Sequence, residues 1–339
     1  MAVIRPPYAM LDRRHLLPLL ACHSTPGDEA EVWQLLEQHW HAAGLAITRL
    51  GHYAVTATTP TRRRRPVLLI TAHMDSPGFA VDRLPAARGA RKAVAGLTRL
   101  GGAAFPGHQV AGVLKNRAAK TAVIIRKKAR PGGEADFVCE PLPPARHLPL
   151  DLRHGDRVCF ASAPELTGDK IVAPFLDNRL GCWLLAELAP RLATWQTPWQ
   201  VVLAATGSEE FGGFGASVLA HHVRADLAIV LDATYAAAAQ HVRLGGGPVL
   251  TLSDASVLLS PARRDQIMDL LGAAGIPLQT EVYNFSGTDA RAFPRLGQTC
   301  PVLPLLLATT GNHSPQETAD GRDADQLLAA IACLAMQRL

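Results

Sequence analysis

Four apolar runs, each ending in a residue that can do chemistry, constrain this chain more than any other feature. Residues 67–72 lead into His73 and Asp75. Residues 201–206 lead through Gly207-Ser208 into Glu209 and Glu210. Residues 226–231 end at Asp232, and residues 301–308 lead through Thr309-Thr310-Gly311-Asn312 into His313. Apolar runs of this length, bounded by turn residues, predict strands buried on both faces. Helical patterns alternate with them. Residues 28–43 put Val32, Leu35, Leu36 and Trp40 on one face, with Gly44 as the stop. Asp177-Asn178 opens a helix with Leu180, Leu184 and Leu188 in register. Ser260-Pro261 starts another that Gly275 ends, and residues 323–339 present Leu327, Ile331, Leu334 and Ala335. Alternating strands and helices predict an α/β fold with a mostly parallel sheet sandwiched by helices.

The texture changes between residues 82 and 167. Helical periodicity fades, Gly and Pro recur, and short strand-like pieces fall at 109–114, 121–126, 137–139 and 157–160. This predicts a small β-rich domain of residues 82–167 inserted into a larger domain formed by residues 1–81 and 168–339.

Composition narrows the function classes. The chain has 339 residues, 48% of them hydrophobic, which is ample for a large core. A net charge of +5 is a small excess for this length, and no nucleic-acid motif accompanies it. The basic run at 62–65 reads as a solvated loop. Six cysteines are scattered without a CxxC pair, as expected of buried thiols in a reducing compartment. Residues 16–22, LLPLLAC, mimic the end of a lipoprotein signal. The apolar stretch is too short for the usual signal core of about 7–15 residues, and it contains Pro18. No run approaches the roughly 18 apolar residues of a membrane span. The expectation is a soluble cytoplasmic protein with neither nucleic acid nor membrane as partner.

Open α/β sheets gather ligands at the carboxyl ends of their strands. His73, Asp75, Glu209, Glu210, Asp232 and His313 all fall at such ends, and Asp177 sits at a helix start. Each has a plain reading alone: a core histidine, a helix cap, a strand terminator, a loop residue. Together they form the imidazole-and-carboxylate mixture that suits zinc, cobalt or manganese.

The segments TAHMDSPGF (71–79), FLDNRLG (175–181), TGSEEFGGFGA (206–216), LDAT (231–234), LGGGPVL (244–250), SGTDA (286–290) and NHSPQE (312–317) occur in this order. The ordered set resembles the tetrahedral, or glutamyl and deblocking, aminopeptidases among the co-catalytic dinuclear metallopeptidases. The resemblance implies two divalent metal ions, zinc foremost, with cobalt and manganese as alternatives. By position it makes Asp177 a bridge between them. His73 and Asp232 would complete one site, Glu210 and His313 the other. Glu209 would be the general base, and Asp75 would orient His73. It also implies a peptide substrate cut at its N-terminal bond and a homo-oligomer, from a dimer up to a dodecamer. Asp289 is a candidate for the substrate site, with a structural turn as its alternative. Glu317 matches an acidic position but receives no role.

Two features depart from the family pattern: Ser76-Pro77 after Asp75, and the Ala/Arg-rich opening of the inserted domain at 83–93. Two rival functions remain, an amide deacylase with the same kind of site and a metal-stabilised scaffold without catalysis. A purely structural site has no need of a second acid beside Glu210, so Glu209 favours the enzyme.

Overall fold

The computed structural model describes residues 10–61, 63–85, 94–117, 119–129 and 135–338. Arg62 and most of the Ala/Arg-rich stretch, residues 86–93, lie outside the described residues. Four strands form the centre of the main sheet, in the order Gln200–Thr206, Val67–His73, Leu227–Tyr235 and Val302–Thr310. All four run parallel. They are the four apolar runs, and nearly every position in them is buried.

Alternate residues feed two cores. Leu68, Ile70, Leu203 and Leu305 join one cluster, with Trp40, Leu184 and Ile331 from the helices Ala30–Ala42, Leu176–Leu192 and Gly321–Ala335. Leu69, Val202, Ala204 and Ala228 face the opposite cluster, with Leu219 and Phe293. Full burial of each large aliphatic side chain contributes about 1.5–3 kcal/mol, so the two-faced strands anchor the fold.

The sheet is mixed, which corrects the expectation of a mostly parallel one. Outside the central four, the hairpin Ala46–Leu50 and Ala54–Thr58 adds antiparallel to Gln200–Thr206. On the other side, Glu317–Asp320, Lys170–Ala173 and Glu165–Thr167 are antiparallel in succession. These flanking strands are short and only partly apolar, so their sequences carry weak periodicity. The terminal helix also stops at Ala335, before the predicted end.

Among the described residues, six strands between Gly78 and Phe160 build a closed barrel. Their order is Gly78–Arg83, Ala95–Leu100, Ala135–Pro141, Ala119–Ala129, Gln109–Asn116 and Arg157–Phe160. Pairing of Phe79 with Val158 closes it. Closure removes exposed sheet edges. Phe79, Phe105, Phe137 and Phe160 fill the interior, with ring centroids 5.2–6.1 Å apart in tilted and edge-on pairs. Phe175 packs into the same cluster. It lies two residues before Asp177, so the barrel core touches the chain that carries the candidate site. Among the described residues, no helix is long and apolar enough to cross a membrane.

Candidate metal centre

The parallel register sets the site. Thr206 pairs with His73, so the turn after Thr206 emerges beside the imidazole. Asp232 belongs to the next strand and pairs with Leu306 of the strand that leads to His313. Four residues far apart in sequence therefore meet at one end of the sheet.

Asp177 lies between two histidines. Its Oδ1 is 3.2 Å from His73 Nε2, and its Oδ2 is 3.5 Å from His313 Nε2. His73 Nε2 is also 3.2 Å from Asp232 Oδ1. His313 Nε2 is 3.3 Å from Glu210 Oε1. Potential ligand atoms of His73, Asp177 and Glu210 all lie within 4.8 Å of one another. All five residues read from the sequence as metal-ligating thus converge, in two pairs joined by Asp177.

The electrostatics call for a cation. Asp177 Oδ1 and Glu210 Oε1 are buried and make no hydrogen bond of good geometry, although His73 Nε2 and His313 Nε2 lie 3.2 and 3.3 Å away. A buried carboxylate oxygen in that state is costly unless something positive meets it. Burial drives the Glu210 carboxyl well above its usual range, and Asp177 pushes it further. Asp177 goes the other way. Burial opposes its charge, but the imidazoles of His313 and His73 beside it hold it below the normal carboxylate range. Burial alone would discharge His73, yet the carboxylates of Asp232, Asp177 and Asp75 raise its basicity well above normal. Oxygen and imidazole donors in a buried cluster are the donor set of a zinc, cobalt or manganese site.

Asp75 is fully buried behind the ligands. Its Oδ1 accepts from the Glu209 N–H at 3.0 Å and its Oδ2 from the Glu210 N–H at 3.1 Å. His73 Nδ1 lies 3.1 Å from the Asp75 carbonyl and 3.6 Å from its Oδ1. Asp75 therefore aims two elements at once, the ring of His73 and the Glu209-Glu210 turn. Glu209 points into the site, where Arg291 Nη2 donates to its Oε1 at 2.5 Å. Burial pushes the Glu209 carboxyl up to about 8. Asp289 and Asp232 act in the same direction, against His73 and Arg291.

Three residues near the site hold the left-handed backbone that side chains rarely adopt: Phe175 (φ 70°), Ser208 (φ 61°) and His313 (φ 65°). Phe175 lies two residues before Asp177, Ser208 directly precedes Glu209, and His313 is itself a candidate ligand. Such conformations cost about 1–3 kcal/mol each and persist where the surroundings impose them.

Sequence reasoning left several supports without a role. Glu317 is buried, and its two oxygens accept from the Asp177 N–H and the His313 N–H, each at 2.9 Å. It ties Asp177, 140 residues before it in the sequence, to His313. Glu29 accepts from the Ser208 N–H at 3.0 Å and supports the turn before Glu209. Ser76, which departs from the family pattern, donates to the Asp177 carbonyl at 3.0 Å. Arg179 is fully buried and donates to the Met74 carbonyl and to Ser76 Oγ. A lone acid in a loop gives no signal of this kind, since its partners lie on other elements. Asp289 accepts from Thr206 Oγ1 at 2.5 Å, while its neighbours Thr288 and Arg291 line the site cavity.

That cavity measures about 320 Å³. Asp177, Glu209, Glu210 and Asp232 line it together with Tyr235, Tyr283, Phe285 and Arg291, and Phe285 is 91% exposed.

Fold and site together define the class: an α/β protein whose parallel sheet centre ends in a candidate metal centre, with a β-barrel attached. The M42 glutamyl aminopeptidase family matches residues 147–329, more than half of the sequence, and the chain belongs to this family. The glutamyl aminopeptidase of Lactococcus lactis subsp. cremoris is 31% identical over 153 residues, covering 44% of this chain and 42% of that protein. The chain spans about half the length of the curated relatives it matches. Among solved structures, a TET aminopeptidase from a marine sediment Thaumarchaeota archaeon superposes with a TM-score of 0.83 at 22% identity, over 96% of both chains. The Pyrococcus horikoshii TET1 peptidase, described as assembling into a tetrahedron or a large octahedral shell, gives 0.82 at 21% identity, over 96% of this chain and 99% of that one. The fold is the one these structures share.

Proposed function

We propose that this chain is a dinuclear metal-dependent aminopeptidase that hydrolyses the N-terminal bond of peptides. One observation carries the reading: Asp177 divides its two carboxylate oxygens between His73 and His313, as a bridge between two cations would. His73 and Asp232 would hold one ion with Asp177, and Glu210 and His313 the other. Paired divalent ions supply a polarised carbonyl and water made acidic enough to attack near neutral pH.

The remaining chemistry belongs to the chain. Glu209 takes the proton of the attacking water and returns it to the leaving amine. Burial raises the basicity of its carboxylate, which suits a group that accepts a proton. Arg291 holds one oxygen of Glu209, leaving the other to face the substrate. Asp75 fixes the main chain of Glu209 and Glu210, so base and ligand keep a set separation. The acidic side chains attract a free α-ammonium group, and the aromatic side chains of Tyr235, Tyr283 and Phe285 cover the rest of the terminal residue. The barrel serves as the assembly domain of a homo-oligomer, by analogy with the shells of the TET1 peptidase.

The test combines metal analysis of the purified protein with a panel of aminoacyl-arylamides, free and N-acetylated. About two metal ions per chain with cleavage of free-amine substrates alone is expected. Cleavage of acetylated substrates alone would make it a deacylase, and metal without turnover would make it a scaffold. Glu209→Gln should keep the metal and lose about 10²–10⁴-fold in kcat. Turnover at the wild-type level would remove Glu209 from the mechanism.

A further inference from the structure

We infer that Gly101 and Gly102, in the barrel, are positioning residues for the Glu210–His313 half of the metal site. The inference rests on the proposed function. A Cβ on Gly102 would stand 2.5 Å from His313 Nδ1 and 3.3 Å from its Cε1, where ordinary contact is 3.4–4 Å. A Cβ on Gly101 would stand 3.1 Å from Glu210 Cβ and 3.2 Å from the Glu210 carbonyl oxygen. The next turn residue completes the contact, as Ala104 N–H donates to the His313 carbonyl at 2.9 Å.

The turn is firmly fixed on its barrel side. It follows directly from strand Ala95–Leu100. Ala103 and Phe105 are buried in the barrel core, and Phe105 packs edge-on against Phe137 and Phe160. Lys127 Nζ donates to the Phe105 carbonyl. The turn is therefore a stop against which the imidazole rests. Nδ1 of His313 meets the turn, and Nε2 meets Asp177 and Glu210. Any push at Nδ1 is transmitted across the rigid ring to Nε2. Metal–nitrogen distances are tolerant to only about 0.2 Å. An added methyl group needs roughly 1 Å more room than exists, so it moves the ligand out of range.

Two contrasts isolate this effect. Gly102 does not occupy the left-handed region, so alanine suits its backbone, and the three atoms nearest its Cβ all belong to the imidazole. Gly101 (φ +74°) and Gly107 (φ +72°) are strained equally by alanine, but nothing lies within 4 Å of a Cβ on Gly107. Gly101→Ala and Gly107→Ala thus form a matched pair that differs in contact with the site.

The experiment titrates metal-free wild type, Gly102→Ala, Gly101→Ala and Gly107→Ala with Zn²⁺ against a chromophoric chelator, and melts each metal-free protein. The wild type is expected to bind two ions tightly. Gly102→Ala is expected to keep one of them and to bind the second about 10–100-fold more weakly. Its metal-free melting temperature should stay within a few degrees of the wild type. Should Gly102→Ala fail to fold, the same loss in Gly101→Ala and its absence in Gly107→Ala carries the point. Two wild-type affinities in both site-facing variants would overturn the inference alone. An equal loss in Gly107→Ala would also overturn it, by assigning the effect to strain. A wild type that binds no Zn²⁺ would overturn the metal reading and this inference with it.

Discussion

His73 and Asp232 belong to the sheet, whereas Glu210 and His313 hang from loops beyond it. His73 ends one central strand and Asp232 lies within the next, and both are almost fully buried. Their positions follow from the parallel hydrogen-bond ladder, which packing on both faces makes rigid. Glu210 follows a tight turn, and His313 sits in a left-handed conformation with its side chain 25% exposed. These two are aimed by clamps: Asp75 on the Glu210 N–H, Glu317 on the His313 N–H, and the barrel turn against the imidazole. Asp177 faces both pairs and carries its own clamp from Glu317. The difference teaches where precision comes from. In the sheet half it is a by-product of folding. In the loop half it must be supplied by named polar contacts, so residues far from the ligands matter there.

The comparison can be broken at four levels. Asp177→Ala removes the member common to both halves, so both ions should be lost and turnover should fall by about 10³-fold or more. Elemental analysis with arylamide kinetics checks this, and retention of one tight ion would show that the halves are independent. Asp75→Asn should come next. It replaces one acceptor oxygen by a donor beside the two N–H groups, leaving one of them buried and unpaired, at about 1–3 kcal/mol. The loop-half ion should bind about 10²-fold more weakly while the sheet-half ion changes less. Equal weakening of both would mean that Asp75 acts mainly through His73. Glu317→Gln keeps one acceptor oxygen and loses the other, so about a 10-fold loss is expected in the same titration, on the His313 ion if that N–H loses its acceptor and on both ions if Asp177 does. The smallest effect is a graded removal of metal. Increasing chelator should strip the ions in two steps, loop half first, each step lowering the melting temperature. An ion present at 100 times its Kd stabilises the native state by about 2.7 kcal/mol. A single step would show that the halves release metal together.

The helices and central strands were legible because their signals are local. The turn residues Ser260 and Gly275 bracket helix Pro261–Ala273 as expected, and Ser260 Oγ accepts from the Arg263 N–H. The inserted β-rich segment was legible as a loss of helical periodicity. That its strands close into a barrel was not, since closure depends on Phe79 pairing with Val158 across the whole segment. Of the antiparallel flanks of the main sheet, Ala46–Leu50, Glu165–Thr167, Lys170–Ala173 and Glu317–Asp320 were missed because short, half-polar strands carry little periodicity.

The sequence by itself determined which residues gather at the candidate site. Strand ends announce themselves through a long apolar run that stops, and His73, Glu209, Glu210, Asp232 and His313 each follow such a run. Tertiary structure alone decided how they are held. Glu317 reaches back 140 residues to Asp177, Glu29 reaches forward 179 residues to Ser208, and the barrel turn meets His313. Hydrogen bonds and steric stops of this kind act over a few ångströms in space. They leave no mark on the spacing of residues along the chain.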